Sequence, residues 1–138
     1  MKTILVATDL GPSSSRVVAA AAELGALGHP IVPVHVLTPE RVNDYRQSLP
    51  DDSAFVDVLQ SRLAGDVEDQ FRGIDNVSAP VILMGDPASM LIERAGEVEA
   101  AYLVIGIRNR SKVGKLLMGS AAQEILLNAP CPVVGVPI

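Results

Sequence analysis

The strongest constraint in the chain is an alternation. Short apolar runs rich in branched residues alternate with segments whose apolar residues recur at helical spacing. Thr3-Ile4-Leu5-Val6-Ala7 opens the series as a continuous apolar run, the pattern of a buried strand. Ile31–Val36, Ala79–Met84, Tyr102–Ile105 and Cys131–Val136 repeat it. Between them Val17, Ala20, Ala21 and Leu24 mark a first helix, which Gly25 and Gly28 end. Phe55, Leu59, Leu63, Val67 and Phe71 are each four apart, with Val58 beside them, and predict a second helix from Asp52 or Ser53 to Gly73. Leu91, Ala95 and Val98 predict a third, with Asp86 as its N-cap and Pro87 as its first residue. Ala122, Ile125 and Leu126 supply the apolar face of a last helix, with Ser120 to Gln123 as a capping box. Strands alternating with helices require right-handed crossovers and a parallel sheet covered on both faces. Leu37–Asp52 shows no period and holds two prolines, so it is expected to be a long connection.

Composition fits such a sheet. Hydrophobic residues make up 49% of the chain but aromatic ones only 3%, so the core must be aliphatic. At 138 residues there is one domain's worth of chain and no internal repeat. One cysteine, Cys131, excludes an internal disulfide and fits a reducing cytoplasm. The start, Met1-Lys2 followed by a strand pattern, predicts no signal peptide, and no apolar run approaches the roughly 20 residues that span a bilayer. A net charge of −5 argues against nucleic-acid binding, which wants a basic face.

One segment departs from that acidic balance. Tyr102–Ser120 runs from a strand through Gly106 into a stretch holding Arg108, Arg110, Lys112 and Lys115 without an acid, and ends at Gly119-Ser120, where a helix can begin. A strand, a basic loop and a helix N-terminus together suit an anion, and phosphate above all. In open parallel sheets ligands bind beyond the strands' carboxyl ends, where the strand order reverses. Asp9, Val36, Gly85 and Gly106 all fall at that edge. The Walker and dinucleotide glycine patterns are absent. His29 and His35 lack the Cys or acid companions of a metal site and are expected in core or surface roles. Cys131 is expected to act as a small hydrophobe. No residue is expected to be catalytic.

The chain resembles the universal stress protein family over essentially its whole length. The resemblance rests on the first strand ending in Asp9, the Gly85-Asp86-Pro87 turn, and a glycine signature: Gly, two residues, Gly, nine residues, then Gly-Ser. Gly106 and Gly119-Ser120 are in register, whereas Asn109 stands where the family has its middle glycine. The tail Ala129-Pro130-Cys131-Pro132-Val133-Val134 also matches. The expected architecture is an α/β doubly wound five-stranded parallel sheet, order 3-2-1-4-5, with helices on both faces. For a stress-response protein that binds ATP, with Mg or Mn as a companion ion, the resemblance implies roles. Asp9 would reach the ribose, the backbone of Val36 the adenine, and Gly106, Gly119 and Ser120 the ribose and phosphates. Gly85, Arg108, Asn109, Arg110 and Lys115 complete the candidate set. Asn109 brings an amide side chain toward the phosphates, although Asn visits the left-handed region that a glycine would use. Two alternatives stand: a family member without nucleotide that acts through partners, and a phosphoacceptor receiver using Asp86. Val133–Ile138 is apolar and predicts a homodimer built by pairing sheet edges.

Overall fold

The computed structural model describes residues 2–48, 54–108 and 119–138. Its elements in chain order are β1 (Ile4–Ala7), α1 (Ser14–Gly25), β2 (Ile31–Leu37), α2 (Pro39–Arg46), α3 (Phe55–Gln70), β3 (Val81–Met84), α4 (Pro87–Glu97), β4 (Tyr102–Ile107), α5 (Ser120–Asn128) and β5 (Val133–Pro137). The five strands form one sheet in the order β3-β2-β1-β4-β5, and every neighbouring pair is parallel. This is the architecture expected from the alternation. The order reverses between β1 and β4, because the chain first builds outward through β2 and β3 and then returns to the other side of β1.

Each face of the sheet carries its own aliphatic layer. On one face Ile4, Val6 and Val104 pack with Val17 and Ala21 of α1 and Val67 of α3. On the other Leu5, Leu103 and Ile105 pack with Leu91 and Ala95 of α4 and Ile125 of α5. The alternation of neighbours between the two layers is the period-2 geometry of a strand buried on both sides. A third cluster joins Leu37, Val42, Phe55, Leu59 and Leu63, seating α2 and α3 beside the end of β2. Pro33 is tolerated in the interior strand β2 because its imino nitrogen faces the β3 side. There the chain, between Val77 and Val81, has not yet begun its ladder.

Several sequence expectations need correction. Leu37–Asp52 is not a plain connection. Thr38 caps α2 by accepting a hydrogen bond from the Arg41 N–H at 3.3 Å, and Pro39 takes the first helical turn. Only Val42 of that helix is buried, so there was no apolar period to see. Ser120 is the first residue of α5 rather than its cap. The cap is Gly119, whose carbonyl accepts from the Gln123 N–H at 3.1 Å. Val58, Val98 and Leu126, placed on buried stripes from the sequence, are exposed. Asp86 does cap α4, accepting from the Ser89 N–H at 3.0 Å with Pro87 next.

Candidate functional site

The strands differ in length, and that difference makes the site. Ala7 pairs with Val34 at the end of β1, yet β2 continues to Leu37. On the other side Val6 pairs with Val104, and β4 continues to Ile107. The short central strand therefore leaves a notch of two to three residues between its neighbours, about 7–10 Å deep at ~3.3 Å per residue. It lies at the carboxyl edge, at the point where the order reverses. A cavity of about 390 Å³ opens there, within the range of small-molecule sites. Val34, Val36, Leu91, Ile105 and Ile125 give it apolar walls, and Thr8, Asp9, Ser14 and His35 give it polar ones. Arg41 and Arg108 stand on its lining with exposed side chains.

The β1–α1 turn aims Asp9. Its Oδ1 accepts from the Gly11 N–H at 2.8 Å and from Ser14 Oγ at 2.6 Å, while Oδ2 lies 3.8 Å from the Arg108 guanidinium. Burial raises the carboxyl's pKa. The Ser14 hydroxyl, the Gly11 N–H and the Arg108 charge together outweigh that and hold it below the usual carboxylate value. The two oxygens of Asp9 have different surroundings. One oxygen satisfies the turn, and the other faces a cation at the cavity. Leu10, at φ +65°, sits in the left-handed region that a bulky side chain rarely adopts, and turns the chain away from the sheet. Behind the turn, Thr8 Oγ1 donates to Gln70 Oε1 at 2.6 Å and lies 3.3 Å from Ser14 Oγ. The end of α3 is thereby tied to the floor of the site.

Val36 presents its backbone to the cavity as well as its side chain. In β2 the peptide groups of Val34 and Val36 face β1, as the Thr8 N–H to Val34 O bond at 2.9 Å shows, and those of Leu37 face β3. Beyond Val34 the β1 ladder has ended, so the N–H and C=O of Val36 point into the notch with no strand opposite.

The other sequence candidates divide. Asp9, Val36, Gly106, Arg108 and Gly119 all line the cavity. Gly85 does not. It sits past the edge strand β3 at φ +143°, its N–H bonded to Leu37 O at 3.0 Å, and serves the turn into α4. Ser120 is not on the lining, although Ala121 and Ala122 of the same helical turn are. Gly106 has a packing reason to be glycine. A Cβ there would stand 2.9 Å from Ile138 Cδ1 and 3.3 Å from Val17 Cγ2. Asn109, Arg110, Lys112 and Lys115 lie outside the described residues. Sequence reasoning missed Thr8, Ser14, His35 and Arg41. Nothing local in the sequence marks these four as site residues. His29 bonds Lys2 O through Nδ1 at 2.8 Å and is not on the cavity lining. Cys131 is half-buried, and burial pushes its thiol pKa up, consistent with an unreactive side chain. Among the described residues no three of His, Cys, Asp and Glu cluster to hold a metal, and no helix is long and apolar enough to cross a membrane.

The profile of the universal stress protein family matches residues 1–137. This chain belongs to that family. A universal stress protein of Thermus aquaticus is 33% identical over 138 residues, covering 96% of each chain. One from Mycolicibacterium smegmatis is 38% identical over 87 residues, 60% of this chain and 66% of the relative. Among solved structures, the universal stress protein of Archaeoglobus fulgidus superposes with a TM-score of 0.69 at 29% identity, over 99% of this chain and 98% of the other. A universal stress protein solved in complex with cAMP shares the fold at a TM-score of 0.64 and 22% identity, over 98% and 95% of the two chains. A stress-response role follows from the family.

Proposed function

We propose that this universal stress protein binds an adenine nucleotide in the notch beyond β1 and acts through the conformation or the partners that the bound state selects. The observation that carries this is the coincidence of three features in one cavity. Val36 offers an adjacent donor and acceptor, the complement of a base edge. Asp9 keeps one carboxylate oxygen free of the turn, suited to a sugar hydroxyl. Arg108 and the N-terminus of α5 at Gly119 supply positive potential where phosphates would follow. The apolar walls would take the faces of the base. The cAMP held by a structural relative supports the class of ligand. Where ATP is the ligand, Mg or Mn would be carried chiefly by its phosphates, because the described lining holds one carboxylate.

Titration calorimetry and thermal shift with ATP, ADP, AMP and cAMP, each with and without magnesium, test this. A ligand at 100 times its Kd adds about 2.7 kcal/mol to apparent stability, a rise no melting curve would miss. No shift with any of the four at millimolar concentration would sink the proposal and favour a family member that works through partners alone. Asp86 gives the receiver alternative little support, because it is committed to capping α4 at an exposed turn off the cavity lining.

The second proposal concerns assembly. Strand β5 is a terminal strand of the sheet and pairs only with β4 among the described residues. Pro132 O and the Ile138 N–H bond to β4, so the peptide groups of Val133 and Gly135 face outward. An antiparallel partner strand from a second copy, within Val133–Ile138, would satisfy them.

A further inference from the structure

In a parallel ladder that continued past Val34, two more bonds would form. The Val36 N–H would donate to Thr8 O, and the Val36 C=O would accept from the Leu10 N–H. Neither forms, and both would-be partners are engaged elsewhere. Thr8 O accepts from His35 Nδ1 at 2.7 Å, inside the protein. A carbonyl can only accept, so Nδ1 carries the hydrogen. The Leu10 N–H turns instead to Thr8 Oγ1 at 3.4 Å. His35 is buried at 7% exposure and lines the cavity, yet it is no part of the three-feature site proposed above.

We infer that His35 is a positioning residue that holds the β1–β2 ladder open. Its imidazole takes the place of the next rung, so that Val36 keeps a free donor and acceptor for the base of a nucleotide. The inference rests on the proposed nucleotide site and adds to it the device that makes the base edge readable. A sheet edge left to itself tends to pair, since an unpaired buried peptide group is costly. Here the competing acceptor, Thr8 O, is satisfied in advance by a side chain from the strand it would have paired with. The cost of the missing rung is then borne only by Val36, which a ligand can relieve. His35 need not touch the ligand to act in this way.

The test uses the full chain, with the wild type and two variants compared by amide hydrogen exchange and by titration with AMP and ATP. In the wild type the Val36 amide should exchange fast without ligand and slow on adding AMP. His35→Leu removes the donor and frees Thr8 O, so the ladder should close by one rung. The Val36 amide is then protected without ligand, and affinity falls about tenfold, the loss expected for one or two neutral hydrogen bonds. His35→Asn restores a short side-chain donor near Nδ1 and should return both readouts toward wild type. A merely structural role for His35 would lower the melting temperature without protecting Val36, and a good Asn rescue of exchange would not be seen. A His35→Leu protein that binds as the wild type does, or whose Val36 amide exchanges as fast, overturns the inference. So does a wild type whose Val36 amide is already protected without ligand. If the wild type binds no adenine nucleotide, the nucleotide proposal fails by itself, and the exchange comparison alone decides whether His35 holds the rung open.

Discussion

Asp9 offers the sharpest quantitative test, because its two oxygens have different work. Replacing it with alanine removes the acceptor of three groups. The Gly11 N–H is at an exposed turn, where water replaces the lost bond, so its share is small. Arg108 loses a partner at 3.8 Å, but both side chains are more than half exposed, and such pairs contribute about 0–1 kcal/mol. Ser14 is different. It is 4% exposed, and its hydroxyl loses a 2.6 Å bond to a charged acceptor with little water at hand, which costs about 1–3 kcal/mol. Asp9→Ala should therefore destabilise by about 2–3 kcal/mol. For 138 residues, at about 2.1 cal/mol/K per residue, each kcal/mol lowers Tm by about 3.5 °C, so the expected fall is about 7–10 °C. Asp9→Asn keeps an acceptor for Ser14 and loses only charge, so it should cost about 1 kcal/mol or less. Because Asp9 and Ser14 share one bond, Asp9→Ala and Ser14→Ala should be sub-additive by about 1–2 kcal/mol in a double-mutant cycle read by urea denaturation. Equal losses for Asp9→Ala and Asp9→Asn, or strict additivity with Ser14→Ala, would refute the assignment of the energy to the buried hydroxyl.

Other outcomes follow from the same structure. The Asp9 pKa is lower folded than unfolded, so its contribution to stability is complete above the ordinary carboxylate value of 3.8 and is lost as pH falls through the folded value. Asp9→Asn should flatten the acid limb of a Tm–pH curve, and an unchanged limb would contradict the linkage. Gly106→Ala presses on Ile138 Cδ1, the free end of a side chain, and should cost about 1 kcal/mol, the low end for overpacking. In a double-mutant cycle with Ile138→Ala, which loses core packing of its own, the two losses should be sub-additive by most of that amount, and strict additivity would place the strain elsewhere. Val134 and Val136 pack partly against the core, so lysine there would disturb the monomer as well as any partner. Val133→Pro instead deletes one outward N–H of β5 and leaves the β4 rungs in place, and should convert the proposed dimer to monomer in sedimentation. A dimer that survives Val133→Pro would put the interface on another surface.

What the sequence reveals and what it conceals have a common physical cause. Strand and helix identities are local and period-driven, so the five runs and the Asp86-Pro87 cap could be read directly. Helix α2 was invisible because one buried residue, Val42, makes no stripe, although Thr38-Pro39 carried a legible start signal. The packing constraint on Gly106 was hidden because the Ile138 side chain lies 32 positions along the chain and across the sheet. His35 was read as an unremarkable core or surface histidine. Nothing near it in sequence shows that it lies one residue past the last position of β2 that pairs with β1, since that depends on where β1 stops.

The end of β1 is therefore the single structural event from which the site derives. The chain leaves the sheet at Thr8 because its next residues are better satisfied off it. Asp9 bonds its own turn at Gly11, Leu10 adopts a left-handed backbone with its side chain against the α1–α3 layer, and Ser14 starts α1 beneath the carboxylate. Leu10→Gly makes this argument quantitative. Relief of the left-handed backbone should stabilise by about 1–2 kcal/mol, while loss of a half-buried leucine should remove about as much apolar contact. Near-neutral stability with retained nucleotide affinity is the expected result in melts and titrations. Affinity that collapses while stability holds would mean that the leucine itself, and not the early exit of β1, shapes the cavity.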